Sequence, residues 1–309
     1  MESTGVEFAV AQVSYDGEPM WKPGSRIGRY RVLGALGRGE PDGLFEVLDD
    51  AGRRFVLRSP IGDLEDSGDA VTRRYLPIAD SLRALAHLNV VVLFDVFIDN
   101  SQLFLVTECV PGRILATAIN TGIGPRQALM IARQILDAAA HAHAGGLVHR
   151  SFQPSKIWLV AMTGWELVKV AEFGLSMLID EVVLEFGAGA LIGSQPRPAA
   201  AYMAPEQVLG RSVDARTDLY SIGVMLFEML TGRPPFPDRD PDLVQQLHLR
   251  VPPPRLHEIC PGAPWCTPQV VMLVETALAK DREARYPTAL AMQGAVDEAF
   301  ASLQRLPPE

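Results

Sequence analysis

YMAPEQVLGRSVDARTDLYSIGVMLFEMLTGRPPF, residues 202–236, is the stretch on which the reading of this chain turns. Its second half, DLYSIGVMLFEMLTG, is apolar nearly all round a 3.6-residue turn, the pattern of a helix buried on every side. Such a helix needs a helical body around it, and both flanks supply one. Upstream, GPRQALMIARQILDAAAHAHAGG (124–146) opens with Pro125 near its start and closes on glycines, as helices tend to. Downstream, QVVMLVETALAKD (269–281) and TALAMQGAVDEAF (288–300) repeat apolar residues at helical spacing. Nearer the N-terminus the period changes to two. RYRVLGAL (29–36), LFEVLDD (44–50), RRFVLRSP (53–60), VVVLFDVFIDN (90–100) and QLFLVTECV (102–110) read as successive antiparallel strands. One helical pattern, AVTRRYLPIADSLRALAHL (70–88), interrupts them. The expectation is an α+β chain in two lobes. A small lobe of five antiparallel strands and one main helix (29–110) precedes a larger, mainly α-helical lobe (111–302), with an extension at 1–28 that adds a strand or frays and a tail at 303–309.

The chain has 309 residues, 48% of them hydrophobic and 21% charged, which excludes a disordered tail and is enough for two lobes around a shared cleft. A net charge of -9 and a pI near 5.2 argue against nucleic acid as a partner, since phosphate contacts need a basic face. Cys109, Cys260 and Cys266 have no metal-ligand spacing, and their odd number fits a reducing, cytoplasmic setting. MESTGVEFAV carries no basic run before an apolar core, and no apolar run reaches about 18 residues, so no membrane segment is expected in this chain. His141 and His143, two apart on one helix, face different ways and do not read as a metal site.

Three segments in fixed order, HRSFQPSKIWL (149–159), AEFGL (171–175) and the stretch at 202–236, resemble the protein kinase superfamily, close to its bacterial Ser/Thr branch. The resemblance implies a bilobal kinase-like fold and gives structural tasks to residues that are present. Glu206 would pair with Arg285 of DREARYPTA, and Asp218 would hold the backbone of the catalytic loop. His149 would pack in the interior, Arg150 would be a charge partner for the loop, and Phe173 and Gly174 would follow the metal-binding position.

The positions that do chemistry in that family depart from it. Phosphoryl transfer rests on positioning and charge neutralisation, so each replacement has a physical consequence. The base aspartate falls at Ser151, a poor proton acceptor. The catalytic-loop lysine falls at Gln153. The metal-binding asparagine falls at Lys156, which puts a cation where a cation should bind. The metal-binding aspartate falls at Glu172, which keeps the charge but is one methylene longer, so octahedral Mg²⁺ geometry would be strained. In the small lobe the strand lysine falls at Arg58, the helix glutamate at Ile78, and the phosphate loop keeps Gly37 and Gly39 but has Asp42 in third place. Val56 and Trp158 take the places above and below the adenine, while Thr107, Glu108 and Val110 match the hinge. The segment between Glu172 and Glu206 has Ser176, Ser194 and Tyr202 as its hydroxyls, and Pro198-Ala199 replaces the usual Gly-Thr.

These departures together lead to the expectation of a pseudokinase with no intact catalytic residue. It would be a signalling scaffold or allosteric regulator whose partner is another protein, such as an active kinase or a membrane-associated assembly. No cofactor is expected; ATP, where it binds, would bind weakly or without metal. The alternatives are a nucleotide-binding switch and an active atypical Ser/Thr kinase. The paired substitutions also predict a salt bridge between Lys156 and Glu172, with Arg58 as a second cation.

Overall fold

The computed structural model describes residues 21–36, 44–61, 80–99, 102–176 and 199–306, and the chain divides into two compact units. The first takes in residues 1–84, 92–109 and 177–196; the second takes in 85–91, 110–176 and 197–309.

The first unit is built on one antiparallel sheet. Its strands are β1 (Arg26–Ile27), β2 (Tyr30–Ala35), β3 (Leu44–Leu48), β4 (Arg54–Ile61), β5 (Leu93–Asp99) and β6 (Gln102–Glu108), in the order β1-β2-β3-β4-β6-β5. Five strands were expected. The sixth, β1, is the strand that the 1–28 extension was read as adding if it did not fray, and it is only two residues long, too short for an alternation to register. Period-two alternation puts Phe45 and Val47, Phe55 and Leu57, and Phe104 and Val106 on one face, where they are buried with Ile27, Tyr30 and Val32. Tyr30 stacks on Phe97 at 5.8 Å and Phe97 on Phe104 at 5.2 Å, which fixes the register of strands far apart in sequence. Of the helix expected at 70–88, residues 80–83 are helical; Ile78 and the residues before it, like Gly37, Gly39, Asp42, Ser194 and Pro198, lie outside the described residues.

The second unit is mainly helical. Its longer helices are α1 (Leu115–Thr121), α2 (Pro125–Ala144), α3 (Ala215–Thr231), α4 (Pro241–Arg250), α5 (Pro268–Ala277) and α6 (Ala289–Gln304). In α3, every residue from Thr217 to Phe227 is buried, the physical counterpart of its unbroken apolar run. Asp214 caps its N-terminus by accepting from Arg216 N at 2.8 Å, and Gly232, at φ 78°, ends it by donating to Glu228 O.

The second lobe was expected to be mainly α-helical, with no strands named in it, and it holds a sheet of its own. Strands β7 (Arg113–Ile114), β8 (Ile157–Met162) and β9 (Trp165–Val170) form it, β8 and β9 being an antiparallel hairpin turned at Thr163-Gly164. The strand expected from Val90 starts at Leu93, because Val91 N instead donates to Val170 O at 2.9 Å and ties residues 85–91 to β9.

Candidate active site

The loop between α2 and β8 carries the kinase-like residues, and α3 holds it from below. Asp218, 1% exposed on the first turn of α3, accepts from His149 N and Arg150 N, both at 2.8 Å, and from His143 Nε2 at 2.8 Å. One carboxylate thus satisfies two loop amides and one ring, the kind of fully used buried acceptor that fixes a loop in one conformation. Arg150, whose own amide is one of the two anchored ones, is left-handed at φ 63°. Gln207 Nε2 adds a bond to Arg150 O at 2.6 Å.

His149 is fully buried, stacks on Phe152 at 4.2 Å and meets the edge of Phe173 at 4.8 Å. Its Nε2 donates to Ala171 O at 2.9 Å, which joins the loop to the start of the AEFGL segment. Burial, then the nearby Lys156 charge, lowers its pKa to about 4, so the ring is neutral at pH 7.

Lys156 ends a short 3₁₀ turn, Pro154–Lys156, and its side chain is 5% exposed. A buried ammonium requires partners, and Ser151 and Glu172 are among them. It donates to Ser151 Oγ at 2.7 Å and lies 2.9 Å from Glu172 Oε2. The second contact is an ion pair set outside the angles of an aligned hydrogen bond. The bridge expected between Lys156 and Glu172 is therefore present. The bond to Ser151, five residues earlier across the proline turn, was not expected. Ser151 Oγ also lies 3.1 Å from Ser176 Oγ and 3.3 Å from His149 Nδ1, and is wholly buried. A hydroxyl that accepts from an ammonium is less basic than a free one, and Ser151 carries no charge.

Glu172 sits at φ 68° and Gly174, two residues on, at 70°, and the Glu172 carboxylate faces Lys156. One carboxylate neutralised by an internal ammonium is a donor set that does not suit Mg²⁺, a hard cation that asks for several oxygens. Among the described residues no group of three His, Cys, Asp or Glu is placed to hold a metal. Gln153 is turned the other way: its Oε1 accepts from Ala199 N at 3.2 Å and ties the loop to the end of the segment that precedes Glu206.

Glu206 and Arg285 form a bidentate pair, with Nη1–Oε1 at 2.8 Å and Nη2–Oε2 at 2.9 Å, and Thr217 Oγ1 donates to the same carboxylate at 2.8 Å. Burial raises the Glu206 carboxyl, but the Arg285 bonds and charge outweigh it and hold the group below its usual range. Tyr202 donates to Glu228 Oε2 at 2.7 Å, so its hydroxyl is engaged internally. The histidines read as pointing apart do so: His143 reaches Asp218, while His141 stacks on His87 at 5.0 Å.

The remaining sequence candidates are spread over the two units. In the first, half-buried Val56 and Arg58 lie on β4, paired in register with Thr107 and Leu105 of β6, and Glu108 accepts from Val92 N at 2.9 Å. In the second, Val110 is buried and half-buried Trp158 lies on β8 opposite Lys169.

A sheet unit, a helical unit, and a loop held by a buried helix carboxylate next to a bidentate Glu-Arg tie define a kinase-like domain. A family model described as the protein kinase domain matches residues 30–296, and the chain belongs to the protein kinase family. It is 33% identical over 288 residues to the serine/threonine-protein kinase Pkn1 of Myxococcus xanthus, covering 92% of this chain and 40% of Pkn1. It is 32% identical to PksC of Streptomyces coelicolor (91% of this chain, 50% of that one) and 30% identical to PrkC of Bacillus subtilis (90% and 41%), both also named serine/threonine-protein kinases. The chain thus spans half or less of the length of these relatives. The crystal structure of the Mycobacterium tuberculosis PknI kinase domain matches with a TM-score of 0.67 at 22% identity, over 90% of this chain and 99% of that one. The fold is the bilobal α+β kinase fold. No described helix is long and apolar enough to cross a membrane.

Proposed function

We propose that this protein kinase-family domain transfers phosphate poorly or not at all and acts as a signalling scaffold or allosteric regulator. It would do so by binding another protein in the cytoplasm, such as an active kinase or a membrane-associated assembly. One observation carries the reading: the Lys156 ammonium lies between Ser151 Oγ and Glu172, where the family resemblance calls for a metal held by an asparagine at 156 and an aspartate at 172, beside a base aspartate at 151. Loss of the general base alone slows transfer by roughly two to four orders of magnitude. With the cation site taken by a side chain, charge neutralisation on the phosphates is lost as well.

A second reading, an active Ser/Thr protein kinase, has descent on its side, since the relatives quoted are named serine/threonine-protein kinases. A nucleotide-binding switch without transfer stands between the two. Two measurements on the purified chain separate them. The first is phosphate incorporation from labelled ATP with Mg²⁺ or Mn²⁺, into the chain itself and into a Ser/Thr substrate mixture. The second is thermal denaturation with ATP, with metal or with chelator; ligand at about a hundred times its Kd adds roughly 2.7 kcal/mol. The scaffold reading expects background incorporation and no metal-dependent shift. A shift that survives chelator supports the switch. Incorporation that rises with metal and is lost in Glu172→Ala overturns the proposal in favour of the active kinase.

A further inference from the structure

Away from the catalytic loop, a second polar chain runs through the helical unit. Lys280, just past α5, donates from Nζ to Tyr220 Oη at 3.1 Å. Tyr220, on α3, donates to His248 Nδ1 at 2.8 Å. His248, on α4 and wholly buried, donates from Nε2 to Ala201 O at 3.0 Å. Only one tautomer fits: Nε2 carries the proton because Ala201 O can only accept, which leaves Nδ1 as the acceptor for Tyr220. The chain ends on the Ala200–Tyr202 3₁₀ turn, just before the helix that carries Glu206.

We propose that Lys280, Tyr220 and His248 form a proton-linked tether on the Ala200–Tyr202 turn, and that protonation of His248 releases the turn. A proton on Nδ1 turns the ring's acceptor into a donor, so Tyr220 Oη faces two cationic donors while its own hydrogen loses its acceptor. The surroundings offer the imidazolium no relief. From α3 comes the Tyr220 hydroxyl, with the Arg285 guanidinium 4.7 Å over the Tyr220 ring. From the loop after α3 comes the Phe236 ring, 4.9 Å away, with Lys280 lying over it. On the helix at Pro205–Val208, Glu206 is held by Arg285 and Thr217. On the turn itself, Tyr202 is held by Glu228. On α4, Asp240 caps the end opposite His248, with Asp242 in that first turn, and Arg250 lies two residues beyond His248. Burial first, then the Lys280 charge, lowers His248 to about 4, and burial lowers Lys280 to about 8, both in accord with the positions of the carboxylates named above.

Amide hydrogen exchange against pH, corrected for intrinsic rates, tests the tether. A closed turn that excludes the proton and an opened one that binds it like a solvent-exposed histidine give opening that grows about five- to tenfold per pH unit between roughly pH 6.5 and 4.5. Tyr202 N, which donates to Ala199 O in the turn, is the reporter; amides of the β8–β9 hairpin are the control. The expected result is that Tyr202 protection falls with this slope while the hairpin changes less, and that His248→Gln, which keeps a donor for Ala201, flattens the slope. Equal slopes in both proteins, or at both sites, overturn the proposal. Should His248→Gln not fold, an NMR titration of His248 in the intact chain serves instead. A ring that titrates near 6.5 with the turn still protected overturns the tether, and Lys280→Met raising a depressed value supports it.

Discussion

Arg285 shows how much of this fold rests on single buried charges. Its guanidinium is fully buried in the side chain's own terms and gives both terminal nitrogens to Glu206, while Nε donates to Ala279 O. Removing one partner of such a pair leaves the other charged, buried and alone, which costs about 3–5 kcal/mol. Arg285→Ala is therefore expected to lower the unfolding free energy by about that much in urea, and Glu206→Gln by less because an amide still accepts. At the catalytic loop the expected effect is on chemistry. Ser151→Asp combined with Lys156→Asn and Glu172→Asp restores the family's residue types at these three positions, and the proposed function predicts metal-dependent phosphate incorporation at least ten times that of the unaltered chain. The Lys156–Glu172 contact could be read from the sequence because opposite charges replaced two residues that share one ion. The Ser151 contact and the whole Lys280–Tyr220–His248 chain were missed. Each joins side chains from separate elements, and no spacing along the sequence marks them.

Helical packing makes a test with two signs. Gly223, in the middle of α3, would place a β-carbon 2.7 Å from Ala277 Cβ of α5, a contact with no flexible end to yield. Gly294, on the exposed side of α6, would meet nothing within 4 Å. Alanine is favoured over glycine by about 1 kcal/mol in a helix, whereas overpacking a core costs about 1–3 kcal/mol. Gly294→Ala should raise stability by up to about 1 kcal/mol and Gly223→Ala should lower it by about 1–2 kcal/mol, both read from denaturation midpoints. Long elements were legible for the same physical reason that they are stable: α2, α3, α5 and α6 show enough turns for a period to emerge. The β8–β9 hairpin was legible and overlooked. IWLVAM and WELVKV, on either side of Thr163-Gly164, have strand composition and a two-residue turn, with Gly164 at φ 81°. Two-residue β1 and β7 offer no pattern to read.

For the whole molecule, acid is the expected weak point. His149 and His248 are both lowered to about 4, the first by burial and then Lys156, the second by burial and then Lys280. Unfolded histidine binds its proton near pH 6.5, so unfolding takes up protons between about pH 6.5 and 4 and stability falls as the pH falls. Each ring contributes a slope of at most about 1.4 kcal/mol per pH unit. Urea midpoints measured from pH 7.5 to 5 should stay level above about 7 and then decline, and replacing both histidines should remove most of the decline. A midpoint that stays level down to pH 5 would mean that the two rings are not neutral in the folded chain. The internal ion pair also bears on ancestry. If an ancestor held a metal here, the order of substitutions leading to or from it was not free. Aspartate introduced at 151 while Lys156 is present meets a cation within 2.7 Å, whereas loss of Lys156 first deprives Glu172 of this counter-charge. Starting from the present residues, the passable route changes 151 before 156, and a one-step mutational library should recover the first change more readily than the second.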